Sequence, residues 1–218
     1  MSMLADDDLK LLVRSVRDFV AERSAPGRIR TLRDELDPLG WSRELWGEMV
    51  DLGWVAAAVP EEHGGLGLGF GAQCVLLETL GRNLVPEPIL TTAIATQALM
   101  LSESPTAKER LPAVAEGRMI IPLASEEGGR AHNGTDGIET VANGTELVGE
   151  KTGVPDGAGA SAYLVTAQED DGVALCLVDA DAGGVEVTRQ WRVDGRNAAT
   201  VRFSGAPYQR LGGVDVVT

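Results

Sequence analysis

"VPEEHGGLGLGFGAQCVLLETLGRNLVPEP", residues 59–88, is the stretch whose reading decides the fold. It opens on Gly64, Gly65, Gly67, Gly69 and Gly71 and then runs with a helical period. Such a loop ahead of a helix either cradles phosphate on its amides or only turns the chain. A phosphate loop needs a strand before it, a helix N-terminus after it and usually a Lys followed by Ser or Thr. This loop has no lysine, Glu61 and Glu62 stand at its entrance, and Gly65, Gly67, Gly69, Gly71 do not match G-x-G-x-x-G. Glycines that allow a tight turn are the better reading.

Working outward, helices surround this loop. Leu9, Leu12, Val13, Val16, Phe19 and Val20 follow the helical period, with Asp6 to Asp8 favouring the N-terminus. "WSRELWGEMVDLGW" repeats the pattern and stops at Gly53. "GAQCVLLETLGR" ends near Gly81, and "PILTTAIATQALMLS" is opened by Pro88 and apolar nearly all round, which predicts burial. "PTAKERLPAVAEG" predicts a short fifth helix broken by Pro112 and closed by Gly117. The character then changes. "MIIPLAS", "ELVGEKT", "SAYLVTAQ", "GVALCLVDA", "GVEVTR" and "ATVRFSG" are short β-type runs between Gly, Asp and Asn turns. Helices precede strands with no βαβ alternation. The prediction is therefore an α+β chain, with an all-α helical domain over 1–117 and an antiparallel β-sheet or barrel domain over 118–218, and not a Rossmann fold.

Composition narrows the function. The 218 residues are 44% hydrophobic, enough for a real core, and carry a net charge of -14 with no basic patch, which argues against nucleic acid. The arginines from Arg14 to Arg33 read as a solvated face. Ile89 to Leu101 is too short and too polar to span a bilayer, and "MSMLADDDLK" has no signal-peptide core, so a cytoplasmic protein is expected. Cys74 and Cys176 lie in apolar runs and read as buried thiols. His63 and His132 lack partners at metal spacing, so no metal site is expected, and they read as loop histidines.

The order of segments carries more. "VPEEHGGLGLGFGAQCVLLETLGRNLVPEP" resembles the N-terminal domain of the acyl-CoA dehydrogenases, in which Pro-Glu-Glu, a Gly-Gly-Leu-Gly loop and Glu-x-Leu-Gly-Arg recur in this order. "KERLPAVAEGRMIIPLASEE" resembles that family's passage from last helix to first strand, "NGTELVGEKT" its next strands, and "GVEVTR…VDGRNAATVRFSG" the closing strands of its middle domain. The resemblance runs from about residue 6 to Gly213.

The resemblance implies FAD-dependent α,β-dehydrogenation of an acyl-CoA thioester, in lipid or steroid catabolism. In that chemistry a carboxylate takes the α-proton and the flavin takes a hydride. In most members the carboxylate belongs to a C-terminal helical domain that has no counterpart in residues 1–218, so no catalytic residue is assigned. The flavin-facing positions depart from the family. Ala124 and Ser125 stand in the family's Leu-Thr-Glu-Pro run, and Ser125 keeps a hydroxyl for a flavin edge. Ala131 falls in the family's Gly-Ser-Asp on the substrate side. Gly153 replaces a tryptophan that flanks the flavin, and Pro155 replaces a threonine that reaches it. Losing one ring contact and one hydrogen bond weakens such a site by about 1–3 kcal/mol. FAD is therefore expected to be weakly held or shared with a partner chain. Two readings stay open: a subunit that takes part in the dehydrogenation within an oligomer, or a non-catalytic partner subunit with a degenerate flavin site. Both expect a second acyl-CoA dehydrogenase-type chain.

Overall fold

The computed structural model describes residues 6–25, 27–102, 104–128, 137–170 and 172–213. Helices come first: α1 (Asp6–Arg23), α2 (Gly27–Asp34), α3 (Arg43–Asp51), α4 (Gly69–Gly81), α5 (Ile89–Leu101) and the short α6 (Pro105–Lys108) and α7 (Leu111–Ala115). Strands follow: β1 (Leu123–Ala124), β2 (Val141–Ala142), β3 (Glu146–Pro155), β4 (Ala162–Glu169), β5 (Gly172–Asp179), β6 (Val185–Trp191), β7 (Asn197–Pro207) and β8 (Gln209–Gly212). The fold is α+β. The sheet order is β6-β7-β3-β2-β4-β5-β8, with β1 paired to β4. The pairs are antiparallel except that β1 and β2 run parallel to β4.

Local chemistry explains most boundaries. Ser42 caps α3 by accepting the Leu45 N–H, and Gly53 leaves the helix at a positive φ of 74°. Pro112 does not break a helix as expected; it sits in the first turn of α7, where a missing N–H costs nothing. The break lies earlier, between Lys108 and Leu111. Helix α2 was not foreseen, and its Arg28 is no solvated residue. It grips the buried Glu87 through both guanidinium nitrogens at 2.8 Å. Helix α5 departs from its expected burial on one stripe, where Leu90, Ile94 and Leu101 are 51%, 38% and 62% exposed. Cys176 is buried, as its apolar run implied, but Cys74 is exposed.

One core lies within the helices, around Val16, Trp41, Trp46, Met49, Trp54 and Leu76. A second lies against the sheet, around Leu147, Tyr163, Val165, Cys176, Val201 and Phe203. A third joins the two: Leu99, Leu111 and Val114 pack on Leu164, Leu175 and Leu177. Strands β4 and β5 are thus covered on both faces, which is why they read as continuous apolar runs and not as alternation. Arg110 adds a two-toothed ion pair to Asp179 at 2.6 and 3.1 Å across the same seam.

Candidate functional site

The glycine stretch gives up its amides to its own neighbourhood. His63 donates to the Pro60 carbonyl, Gly64 to Glu61, Gly65 to Pro60, Leu66 to Ala56, Gly67 to Val59 and Leu68 to Ala57. No fan of N–H groups is left over residues 63–68 for a phosphate. Gly65 is required because a Cβ there would run into the Val59 backbone. The loop shapes the fold, as its sequence indicated.

The runs around Ser125 and Gly153, far apart in sequence, meet. Strand β1 lies beside β4, with Ala124 opposite Val165 and fully buried. The chain then leaves the sheet through half-buried Ser125 to exposed Glu126, whose carbonyl accepts the Thr152 N–H at 2.8 Å. Across from it, the pairing of β3 with β7 jumps from Lys151↔Val201 to Val154↔Ala199, so Thr152 and Gly153 form a bulge. Gly153 sits there at φ 65°, and a Cβ on it would lie 3.3 Å from Glu126 Oε2. Val154 turns into the core, leaving Gly153 and the exposed Pro155 on the outer side. Ala131 and His132 lie outside the described residues.

Two buried charged clusters adjoin β3, one at Lys151 and one just past its last residue. Lys151 is 0% exposed and Glu127 5%. Lys151 Nζ donates to Glu127 Oε1 at 2.5 Å and to Thr166 Oγ1 at 3.1 Å. Glu127 also accepts the N–H groups of Glu139 at 2.5 Å and Thr140 at 3.0 Å. Burial works against the Glu127 carboxylate, but the bonds from Lys151, Thr140 and Glu139 outweigh it and hold the carboxyl below its ordinary range. Burial pulls the Lys151 ammonium down, partly offset by Glu127. At the far end of β3, Asp156 is 3% exposed and accepts from Thr91 Oγ1 of α5 at 2.5 Å. Burial pushes its carboxyl up, against the pull of Thr91 and of Arg196 at 3.9 Å.

Lys151, Glu127 and Asp156 were not singled out from the sequence, although one signal was there. Strand periodicity from Leu147 through Gly149 puts Lys151 on the inward face. Glu127 and Asp156 had no such signal, since both stand where regular structure stops. Among the described residues no cluster of His, Cys, Asp and Glu is arranged to hold a metal, and no helix is long and apolar enough to cross a membrane.

A profile of the acyl-CoA dehydrogenase N-terminal domain matches residues 6–118, just over half of the chain. The chain belongs to the acyl-CoA dehydrogenase family. It is 31% identical to the acyl-CoA dehydrogenase FadE27 of Mycobacterium tuberculosis over 217 residues, covering 97% of this chain and 56% of that protein. A solved variant of the Tcur3481–Tcur3483 steroid ACAD superposes with a TM-score of 0.87 at 31% identity, covering 97% of this chain and 58% of that one. The ChsE4–ChsE5 complex of Mycobacterium tuberculosis gives 0.84 at 29% identity, covering 100% and 60%. The chain therefore spans a little over half the length of these relatives.

Membership in the acyl-CoA dehydrogenases makes FAD the cofactor to test against this face. Ser125 offers one hydroxyl. Gly153 offers no ring, and its left-handed φ of 65° disfavours any side chain that would supply one. The Glu126 carboxylate lies beside Gly153, and Pro155 has no N–H to donate. A flavin edge needs donors and an apolar face. This set, taken alone, does not fit it.

Proposed function

We propose that this chain is one subunit of a heteromeric acyl-CoA dehydrogenase and takes part, through that assembly, in FAD-dependent α,β-dehydrogenation of an acyl-CoA thioester. The carrying observation is the Ser125–Gly153 face. Two distant runs meet there through the Thr152–Glu126 bond, but the face has neither an aromatic wall nor a second side-chain donor at Gly153 and Pro155. Within this reading the chain is a helical domain to about residue 117 followed by a β-domain, and the flavin rests mainly on a partner of the same family. A steroid-type acyl-CoA is the first substrate to try, because one of the similar solved structures is a steroid ACAD. A second reading, a subunit with no part in the chemistry, is favoured by one specific feature: the Glu126 carboxylate beside Gly153. Negative charge there opposes a flavin ring that gains electrons.

The test is co-expression with a flavin-bearing acyl-CoA dehydrogenase chain, followed by native mass, FAD per chain and acyl-CoA-dependent dye reduction. We expect a hetero-oligomer whose turnover needs both chains. A chain that stays apart from every such partner sinks the proposal. A partner fully active without it leaves the second reading in place.

A further inference from the structure

We propose that Glu127 and Lys151 are the positioning residues of the Ser125–Gly153 face, holding it by charge where the sheet cannot. This rests on the reading of that face given above. The ladder is weak on both sides of it. Strand β1 has only two paired residues, Leu123 and Ala124, and beyond them the run meets the ladder again at a single bridge, at Glu127 itself. On the other side, the bulge at Thr152 and Gly153 interrupts the pairing of β3 with β7. Neither side supplies a regular register. A one-residue slip of the 124–127 run would turn each of its side chains to the opposite face.

The buried pair supplies what is missing. Glu127 follows Glu126, whose carbonyl takes the Thr152 N–H, and Lys151 precedes Thr152. The ion pair and this backbone bond therefore join the same two runs at adjacent residues. The Glu127 carboxylate also takes the N–H groups of Glu139 and Thr140, and Lys151 reaches Thr166 on β4. Four pieces of chain are fixed relative to one another. Filling the core is not sufficient reason for the pair, because apolar residues of similar volume commonly replace a buried ion pair at no loss of stability. Direction is the sufficient reason. Carboxylate and ammonium accept one arrangement of partners, and two apolar side chains accept many.

Amide-resolved hydrogen exchange by NMR on the chain alone tests this, beside thermal unfolding. In the double variant Glu127→Leu with Lys151→Met we expect unchanged or higher thermal stability, with the Thr152 amide exchanging about threefold to tenfold faster, the change for one lost hydrogen bond. A merely structural pair would lower the melting temperature and leave Thr152 as protected as its strand neighbours. That result overturns the proposal. Should the double variant not fold, Glu127→Gln serves. It keeps one acceptor and loses the charge, and undiminished protection of Thr152 in it likewise overturns the proposal. The measurement needs no partner. Faster exchange at Thr152 together with normal turnover of the variant-containing assembly would uphold the positioning and sink the functional reading of the face.

Discussion

Two buried carboxylates flank one strand and behave in opposite ways. Glu127 meets β3 through Lys151 near its middle, and Asp156 follows its last residue. Glu127 is given an ammonium and two backbone N–H groups. Asp156 is given one threonine hydroxyl and a more distant guanidinium, Arg196 at 3.9 Å, and its Oδ1 is buried with no hydrogen-bond partner among the described residues. Both side chains are shielded from water, Asp156 the more deeply, and one carboxyl is held down while the other is pushed up. Donor count and the closeness of a facing charge decide the state of a buried acid together with how deeply it is buried.

The largest blow to this comparison is Lys151→Met alone. It strands Glu127 without its counter-ion and should cost about 3–5 kcal/mol, read by denaturant unfolding. Adding Glu127→Leu should recover most of that loss. Equal stabilities for the single and double variants would mean that the pair is not coupled.

The next effect is on pH. The folded pKa of Glu127 lies below its unfolded value, so its stabilisation is present above about pH 4.3 and is lost as pH falls through the folded pKa. Urea midpoints should drop more steeply on acidification for the wild type than for Glu127→Gln. Asp156 works with the other sign. Its folded pKa lies above the unfolded value of about 3.9, so its contribution is most favourable below that pH and is lost as pH rises through the folded pKa. Asp156→Asn keeps an acceptor for Thr91, removes the charge and tolerates the positive φ of 56°. It should stabilise the chain near neutral pH by on the order of 1 kcal/mol, with the gain shrinking toward pH 4. A variant less stable than wild type at pH 7 would break the comparison. The smallest effect belongs to the exposed pair Arg202–Glu150 at 2.9 Å, where Glu150→Gln should leave the melting temperature unmoved.

Much of the fold was legible because one periodicity at a time governs it. Helices α1, α3, α4 and α5 and strands β3 to β7 all announce themselves by helical period or by β-branched runs between turns. Helix α2 hid because "GRIRTLRD" has no apolar stripe and buries no residue; its anchor is the ion pair of Arg28 with Glu87, 59 positions away. β2 and β8 hid because two and four residues are too few to show alternation. The exposed stripe of α5 was misread because an apolar residue says nothing about whether its neighbour is present. At the site, the resemblance named Ser125 and Gly153, and the structure joins their runs. It could not reveal the bulge, which depends on how β3 pairs with β7, nor the ion pair next to it.

The seam formed by Leu99, Leu111 and Val114 against Leu164, Leu175 and Leu177 has a consequence for how the chain can be divided. The helices serve as the second cover of β4 and β5, so neither half owns a finished surface. A fragment starting at residue 118 would present these leucines to water as one apolar sheet face. It should self-associate on refolding, and a protease nick between α7 and β1 should leave two pieces that stay together until denatured.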